Sequence, residues 1–358
     1  MLIGKLSFTF AAAACVSAAP VPVSPVTASS PRPAVTPAAP VPEPKQDVNP
    51  VRTFEPQFRT GYEPGEATGT PADAIDWLTF DNTSSHADAV PWAMSVYYES
   101  PGDVNDRYAR IIVDPTDPDN HILHYWLKNA VIDAGYQSHT KGRIQTGFPG
   151  HLVDAFEVYA SQRIYIHEDF NLMHTYPPDG DPWWLGVIIQ ELWSGAAWEG
   201  HPNPSRINIS MYSQNGQMHL QMLCKSGIDS RVFWAAYNPQ YALPVGEWLK
   251  IEIGYRMGNA ETGRMVVVIT PESTGRREVV FNVTNWTYDP LADEPGGTGP
   301  VPLTHWNPQK LYSSDNVIHH IRDAGGTAQV YWDDFAFSGE WPPAFPATIH
   351  PPSAPVKQ

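Results

Sequence analysis

Short runs of apolar, β-branched and aromatic residues recur along most of the chain, and turns rich in Asp, Pro, Asn and Gly separate them. The runs include residues 108–113, 121–127, 142–146, 155–159, 163–166, 206–212, 217–223, 232–236, 248–255, 265–270, 278–281 and 329–335. A dozen or so short strands at this spacing predict an all-β domain built as a two-sheet sandwich or jelly roll. One short helix is predicted from Ser314 to Asp323, with Ser314 as its N-cap and Gly325 as its stop.

Residues 183–193 (Trp-Trp-Leu-Gly-Val-Ile-Ile-Gln-Glu-Leu-Trp) have the character of a buried central strand. Regular alternation would put Ile188 and Gln190 on one face of that strand and Ile189 and Glu191 on the other. An amide and a carboxylate at the end of an apolar strand need polar partners. A hydrogen-bonded core pair and the floor of a binding cleft are both consistent with this pattern.

The first residues have the pattern of an export signal and are not expected to belong to the folded domain. Residues 1–18 contain an early lysine, an apolar run and the small-residue end Val16-Ser17-Ala18, which is typical of a signal peptide. Cys15 offers a lipoprotein anchor as a minor alternative. Residues 19–60, rich in Pro and Ala, predict a disordered linker; residues 61–347 predict the β domain, and residues 348–358 predict a disordered tail. We therefore expect a secreted protein.

The charge balance limits the partners. The formal net charge is −16, which disfavours nucleic acid and anionic membrane surfaces as ligands, and no run is long and apolar enough to span a bilayer. Cys224 is the one cysteine left after residue 18, so we expect no intramolecular disulfide and a buried thiol. We expect a monomer. Sequons at Asn82, Asn208, Asn282 and Asn285 are compatible with a glycoprotein.

Three segments carry candidate binding or catalytic residues. On a strand, Arg143 and Gln145 share one face, next to His139 and Lys141, although a solvated sheet face would have the same pattern. Glu191 precedes Trp193 and Trp198, and tryptophans near a strand end either stack on sugar rings or fill the core. Lys310 and Tyr312 would project from one face if their segment is extended, and Arg206 is a further candidate substrate-binding residue.

Metal chemistry is not indicated. Adjacent strand residues point to opposite faces, so Asp333 and Asp334 cannot act as one dyad. Structural anchoring, or a calcium site shared with loops, is the expectation for them. The histidines have no zinc-ligand spacing. The Pro- and Gly-rich segment 289–305 is either a lid over a cleft or a disordered insertion.

With these segments in place, the chain resembles the concanavalin A-like jelly rolls of secreted polysaccharide lyases, of the alginate-lyase and heparin-lyase-I type. The resemblance covers about residues 80–341. It rests on Lys141-Gly-Arg-Ile-Gln, the strand with Gln190, Lys310-Leu-Tyr and Tyr331-Trp-Asp-Asp-Phe. The family's Gln-x-His strand has Gln190 followed by Glu191 and Leu192 here, and Arg143-Ile-Gln145 stands where the family has Arg-x-Glu-x-Arg.

The resemblance implies β-elimination on a uronic acid, with no cofactor required. Arg143, Gln145 and Gln190 would neutralise the sugar carboxylate, Tyr312 or His139 would abstract the C5 proton, and a tyrosine would protonate the leaving oxygen. Two alternatives stay open. A glycoside hydrolase on the same scaffold would use Glu191 with a second carboxylate such as Glu157, and a non-catalytic lectin would need only the tryptophans and polar groups.

Overall fold

The described part of the chain forms two antiparallel eight-stranded sheets. The computed structural model describes residues 58–63, 95–99, 104–130, 141–147, 155–177, 186–343 and 345–346, which lie within one unit of the chain that begins at Thr53. The predicted signal peptide, most of the predicted linker, the tail and the candidate residue His139 lie outside these residues.

Sheet A has the path β13-β12-β11-β6-β16-β4-β3, with β1 paired to β16. Its strands are β1 (Phe58–Thr60), β3 (Arg107–Asp114), β4 (Asp117–Leu127), β6 (Glu157–Ile166), β11 (Trp248–Arg256), β12 (Arg264–Pro271), β13 (Glu278–Thr284) and β16 (Ala328–Ser338). Strands distant in sequence lie side by side in this sheet, as in a jelly roll.

Sheet B has the path β10-β9-β8-β7-β15-β5-β2, with β14 paired to β7. Its strands are β2 (Ser95–Glu99), β5 (Lys141–Gly147), β7 (Gly186–Ser194), β8 (Ser205–Gln214), β9 (Gln217–Ser226), β10 (Val232–Tyr237), β14 (Leu303–Asn307) and β15 (Lys310–Ser314). The predicted all-β jelly-roll sandwich is therefore confirmed.

The core lies between the two sheets. Alternate residues of sheet B, such as Ile144, Leu192 and Ile207, belong to one buried apolar cluster with residues of sheet A such as Ile251 and Trp332. Burial of such side chains contributes about 1.5–3 kcal/mol each. Cys224 lies in this cluster, and burial raises the pKa of its thiol, which agrees with the predicted buried cysteine.

A small polar network also crosses the core beneath the turn from β14 to β15. The Thr146 hydroxyl donates to Gln309 Oε1, and Gln309 Nε2 donates to Gln162 Oε1 of sheet A at 2.7 Å. Gln162 Nε2 in turn donates to the Pro308 carbonyl at 2.8 Å. The network fixes the turn that precedes β15 against both sheets, because buried amides lose free energy when their partners are removed.

The predicted short helix is present as α1 (Asp315–Asp323). The Ser314 hydroxyl accepts a hydrogen bond from the Val317 amide at 3.4 Å, and Gly325 follows with φ of +95°. The sequence did not predict the 3₁₀ helix Glu168–Thr175. Among the described residues, no helix has the length and apolar character needed to cross a membrane.

The structure also describes segment 289–305 and the position of one sequon. Segment 289–305 contains a 3₁₀ helix, Pro290–Asp293, and leads into β14, and the Ser194 hydroxyl at the end of β7 donates to the Val301 carbonyl. Asn208 lies buried in the middle of β8, so this sequon cannot carry a glycan in the folded chain. Asn82 lies outside the described residues.

Candidate active site

Basic side chains gather on the face of sheet B that points away from the core. Register pairs Tyr312 with Arg143 and Lys310 with Gln145, and it pairs Arg206 with both Trp193 and Lys225. Cross-strand partners of an antiparallel sheet project from the same face. We call this surface the basic face; its cations are Lys141, Arg143, Arg206, Lys225 and Lys310.

A β-bulge corrects the predicted alternation of the central strand. Register shifts between Ile188 and Gln190 of β7, so that Ile188 pairs with Ser210 but Gln190 pairs with the core residue Ile209. The extra residue moves Glu191 to the face occupied by Ile188 and leaves Gln190 on the interior side. Gln190 is 1% exposed. The prediction that Gln190 shares a hollow with Arg143 and Tyr312 is therefore wrong.

Glu191 and Lys310 form an ion pair at the centre of the basic face, between β7 and β15. Their side chains are 2% and 0% exposed, and Arg206 Nη1 lies 3.7 Å from the second oxygen of Glu191. Burial alone would raise the pKa of Glu191, but the charges of Lys310 and Arg206 outweigh it and hold that pKa well below its usual range. Burial lowers the pKa of Lys310, and Glu191 opposes the effect.

This ion pair changes the expected roles of its two members. Both were candidate catalytic residues, yet both are sealed from solvent and satisfy each other's charge. A buried carboxylate with two cations beside it is not poised to take a proton. The arrangement instead fixes β15 next to β7, and Glu191 provides the negative charge that lets cations sit close together on one sheet face.

Tyr312 lies among the cations. Its ring centroid is 5.0 Å from Lys310 Nζ, 5.3 Å from the Arg143 guanidinium carbon and 5.6 Å from Lys141 Nζ. The extended conformation of β5 and β15 brings these groups together, as predicted for Arg143 with Gln145 and for Lys310 with Tyr312. Gln145 Oε1 is buried and accepts no hydrogen bond from the described residues.

An aromatic wall closes one end of the basic face. The Trp193 ring packs against Arg206, with 5.1 Å from the guanidinium carbon to the ring centroid, and meets the Trp198 ring edge-on at 4.8 Å. Trp198 is 61% exposed and also contacts His305, whose Nε2 lies 3.2 Å from Glu199. Trp198 therefore presents a large apolar surface to solvent next to a row of cations.

Gly227 makes room for this wall. A Cβ atom at Gly227 would lie 2.8 Å from the Trp193 ring, closer than side-chain atoms approach. The missing side chain therefore leaves space for the indole.

Sequence reasoning missed three members of the basic face. Lys225 and Asn208 lie on β9 and β8, and His305 lies on β14. The pKa of Lys225 is lowered to about 8, mainly by burial and also by Arg206. Asn208 Oδ1 is buried without a hydrogen-bond partner among the described residues. Only the register between β8 and β9 reveals Lys225, since an isolated lysine on a strand carries no signal of its own.

Other candidates lie elsewhere. Glu157 is on β6 of sheet A and pairs with Arg256 at 2.9 Å, so it cannot combine with Glu191 of sheet B as a hydrolytic pair. Asp333, also in sheet A, accepts hydrogen bonds from Arg163 at 2.8 Å and from Asn120 at 3.0 Å. Within the described ranges, no group of three or more His, Cys, Asp or Glu side chains could hold a metal ion.

Comparisons with known proteins give likenesses at low identity. No protein-family model matches the chain, and no curated protein matches it. The solved structure of the alginate lyase Aly36B is 12% identical, with a TM-score of 0.41, covering 74% of this chain and 94% of that chain. An alginate lyase from Aplysia kurodai is 10% identical, with a TM-score of 0.40, covering 68% of this chain and 90% of that chain.

An endo-β-1,4-glucuronan lyase from the fungus Trichoderma reesei is also 10% identical, with a TM-score of 0.41, covering 67% of this chain and 89% of that chain. The chain is thus similar to jelly-roll polysaccharide lyases. At these values the likeness carries no weight in assigning an activity.

Removal of one member of the central ion pair tests its structural role. Lys310→Met leaves the Glu191 carboxylate buried without its nearest counter-ion, and we expect the free energy of unfolding to fall by about 3–5 kcal/mol. The double variant Glu191→Leu/Lys310→Met should recover most of that loss, because apolar groups then replace both charges. Urea denaturation measures all three chains. A single variant as stable as the parent chain would contradict the assigned role.

Proposed function

We propose that the chain is a polysaccharide lyase that cleaves a uronate-containing polysaccharide by β-elimination on the basic face. The observation that carries the proposal is the local charge. Five cations and one carboxylate, Glu191, are found among the described side chains at strand positions of this face, within a chain of net charge −16. Such a concentration of positive charge against the global field suits an anionic polymer.

Arg143 and Lys141 are the groups we assign to the sugar carboxylate. Arg143 offers a rigid fork of donors suited to a carboxylate, and both cations lie within 6 Å of the Tyr312 ring. Neutralising the carboxylate makes the C5 proton more acidic, because charge that develops at C5 delocalises into that group. Gln145 Oε1, buried without a described partner, can accept a hydrogen bond from a sugar hydroxyl.

Tyr312 is the proton-transfer residue in this proposal. The C5 proton passes to the base, its electron pair forms the C4–C5 double bond, and the C4–O bond breaks. The leaving oxygen then takes a proton from an acid. The polysaccharide is thus cleaved without the addition of water. Tyr312, which is 4% exposed and has Lys310, Arg143 and Lys141 around its ring, acts in this proposal as base and returns the proton as acid. His139 stays an alternative base from the sequence.

The hydrolase alternative loses support from the structure. Hydrolysis with two carboxylates requires them about 5–10 Å apart on either side of the scissile bond. Glu191 is buried in an ion pair and Glu157 belongs to the other sheet. A non-catalytic lectin would use the same cations and the Trp193–Trp198 wall, and it is distinguished by assay rather than by geometry.

One assay separates the three functions. The protein is incubated with uronate homopolymers and, in parallel, with neutral glucans, and both the ultraviolet absorbance of unsaturated ends and the reducing ends are measured. A lyase produces both signals on a uronate polymer. Reducing ends without absorbance would indicate a hydrolase and contradict the proposal, as would retention on polymer with neither signal.

Substitution of the tyrosine hydroxyl tests its assigned role. Tyr312→Phe keeps the ring packing and removes the proton-transfer group, so we expect kcat to fall by about 10²–10⁴-fold. Tyr237→Phe is the control, since Tyr237 lies on the edge strand β10, which β9, β8 and β7 separate from β15, and the proposal gives its hydroxyl no role. Equal rates in the two variants would remove Tyr312 from the mechanism.

Trp198 is the candidate stacking residue at the end of the site. Trp198→Ala should raise KM about five- to tenfold with kcat little changed, because stacking on a remote sugar ring stabilises the bound ground state and transition state alike. Phe156→Ala is the matched control, with exposures of 62% at Phe156 and 61% at Trp198. A KM for Trp198→Ala equal to that of the control would contradict the assignment.

The charge of Lys225 gives the site an alkaline limit. Its pKa is lowered to about 8, so this cation is present below pH 8 and is lost as the pH rises through that value. We expect KM for a uronate polymer to rise several-fold between pH 7 and pH 9. Lys225→Arg should flatten that rise, because a guanidinium stays charged over this range. An unchanged pH profile in Lys225→Arg would show that another group sets the limit.

A further inference from the structure

The outward face of sheet A carries a ladder of aromatic rings. Its members are Trp248 of β11, Tyr165 of β6, Tyr331 of β16, His124 and Trp126 of β4 and Tyr108 of β3. Register places Trp248 opposite Tyr165, Tyr165 opposite Tyr331, and Tyr331 opposite His124. Tyr108 lies opposite Trp126. The ladder thus crosses five adjacent strands.

The rings are packed edge to face or face to face. Tyr108 stacks on Trp126 with centroids 5.0 Å apart, and Tyr165 stacks on Tyr331 at 5.3 Å. His124 meets Tyr331 at 4.6 Å. The two stacked pairs stay partly exposed, although the alternate residues of the same strands, such as Tyr125 and Trp332, fill the core. A partly exposed row of rings is an unusual use of aromatic residues on a sheet that already has its core.

At each end of the ladder a buried donor has no hydrogen-bond partner among the described residues. The Arg110 guanidinium lies 4.4 Å from the Tyr108 centroid, and its Nε is buried without a hydrogen-bond partner among the described residues. Trp248 Nε1 is likewise buried and unpartnered among them. By contrast, Arg163, which lies over Trp248, is paired with Glu272 and Asp333. Arg110 forms no ion pair with a described residue, so its charge is available to an anionic ligand.

We propose that the aromatic ladder is a second, non-catalytic carbohydrate-binding surface that holds a strand of uronate polysaccharide. Sugar rings would lie on the Tyr108–Trp126 and Tyr165–Tyr331 pairs, whose flat apolar faces suit the C–H faces of pyranoses. Arg110 would bind a carboxylate of the same strand. The choice of a uronate polymer rests on the proposed function; the presence of a sugar-binding surface rests on the ladder itself.

Position distinguishes this surface from the active site. The ladder and the basic face lie on opposite outer faces of a two-sheet sandwich whose sheets pack roughly 10 Å apart, so one short oligosaccharide cannot occupy both. A polymer can, and a tethered second contact raises the local concentration of substrate. The ladder should therefore affect affinity for polymer and leave the turnover of short oligosaccharides unchanged.

The experiment compares Trp126→Ala and Arg110→Gln with the exposed-aromatic control Phe156→Ala, each in the full chain carrying Tyr312→Phe to suppress cleavage. Affinity electrophoresis in gels containing a uronate homopolymer or a neutral glucan gives Kd. We expect Trp126→Ala to bind the uronate polymer about tenfold more weakly. Arg110→Gln should weaken binding to the uronate polymer alone, and the control should match the parent chain. The same substitutions without Tyr312→Phe should leave kcat/KM on a uronate trisaccharide within twofold.

Thermal denaturation of each variant keeps the outcomes separate. Unchanged polymer affinity in folded Trp126→Ala and Arg110→Gln would overturn the proposal and leave the ladder as cross-strand packing that stabilises the sheet. If Trp126→Ala fails to fold, Arg110→Gln decides alone. If the parent chain binds the neutral glucan as tightly as the uronate polymer, and Arg110→Gln does not change this, the ligand of the ladder is not an acidic polysaccharide. If no uronate polymer is cleaved yet retention depends on Trp126, the ladder stands and the lyase function falls.

Discussion

The Glu191–Lys310 ion pair is the interaction on which the basic face depends. It joins β7 to β15 in the middle of sheet B, where neither charge reaches solvent. Without the carboxylate, the neighbouring cations would repel one another, since Lys310 is bound to one oxygen of Glu191 and Arg206 Nη1 lies 3.7 Å from the other. A buried ion pair adds little net stability. Its effect here is to fix geometry and to make a dense group of cations tolerable.

Local and global charge have opposite signs in this protein. The whole chain is strongly acidic, with a formal charge of −16, whereas one sheet face collects lysines and arginines from four different strands. Over distances beyond about 10 Å, salt screens the acidic remainder. An anionic polymer therefore experiences mainly the nearby cations once it reaches the basic face. The placement of these cations thus lets a strongly acidic chain hold an anionic ligand there.

Much of the fold could be predicted from periodicity, and part of the site could not. Alternation places Arg143 with Gln145 and Lys310 with Tyr312, and the structure agrees because β5 and β15 are regular over these residues. The prediction for Gln190 was wrong because a bulge at Ile189 moves every later side chain of β7 to the opposite face. An apolar run contains no sequence signal for such an extra residue. Lys225 and Asn208 were missed because their partners are brought close only by strand register.

The amide network under the β14–β15 turn has a consequence for how such a protein can evolve. Buried hydrogen bonds join the side chains of Thr146, Gln309 and Gln162. A shift of β15 by two residues would break them, at a cost on the order of several kcal/mol. The register of the strand bearing Lys310 and Tyr312 is therefore fixed by hydrogen bonds in the interior. Substitutions on the outer surface can change the residues that face a ligand without changing where β15 lies.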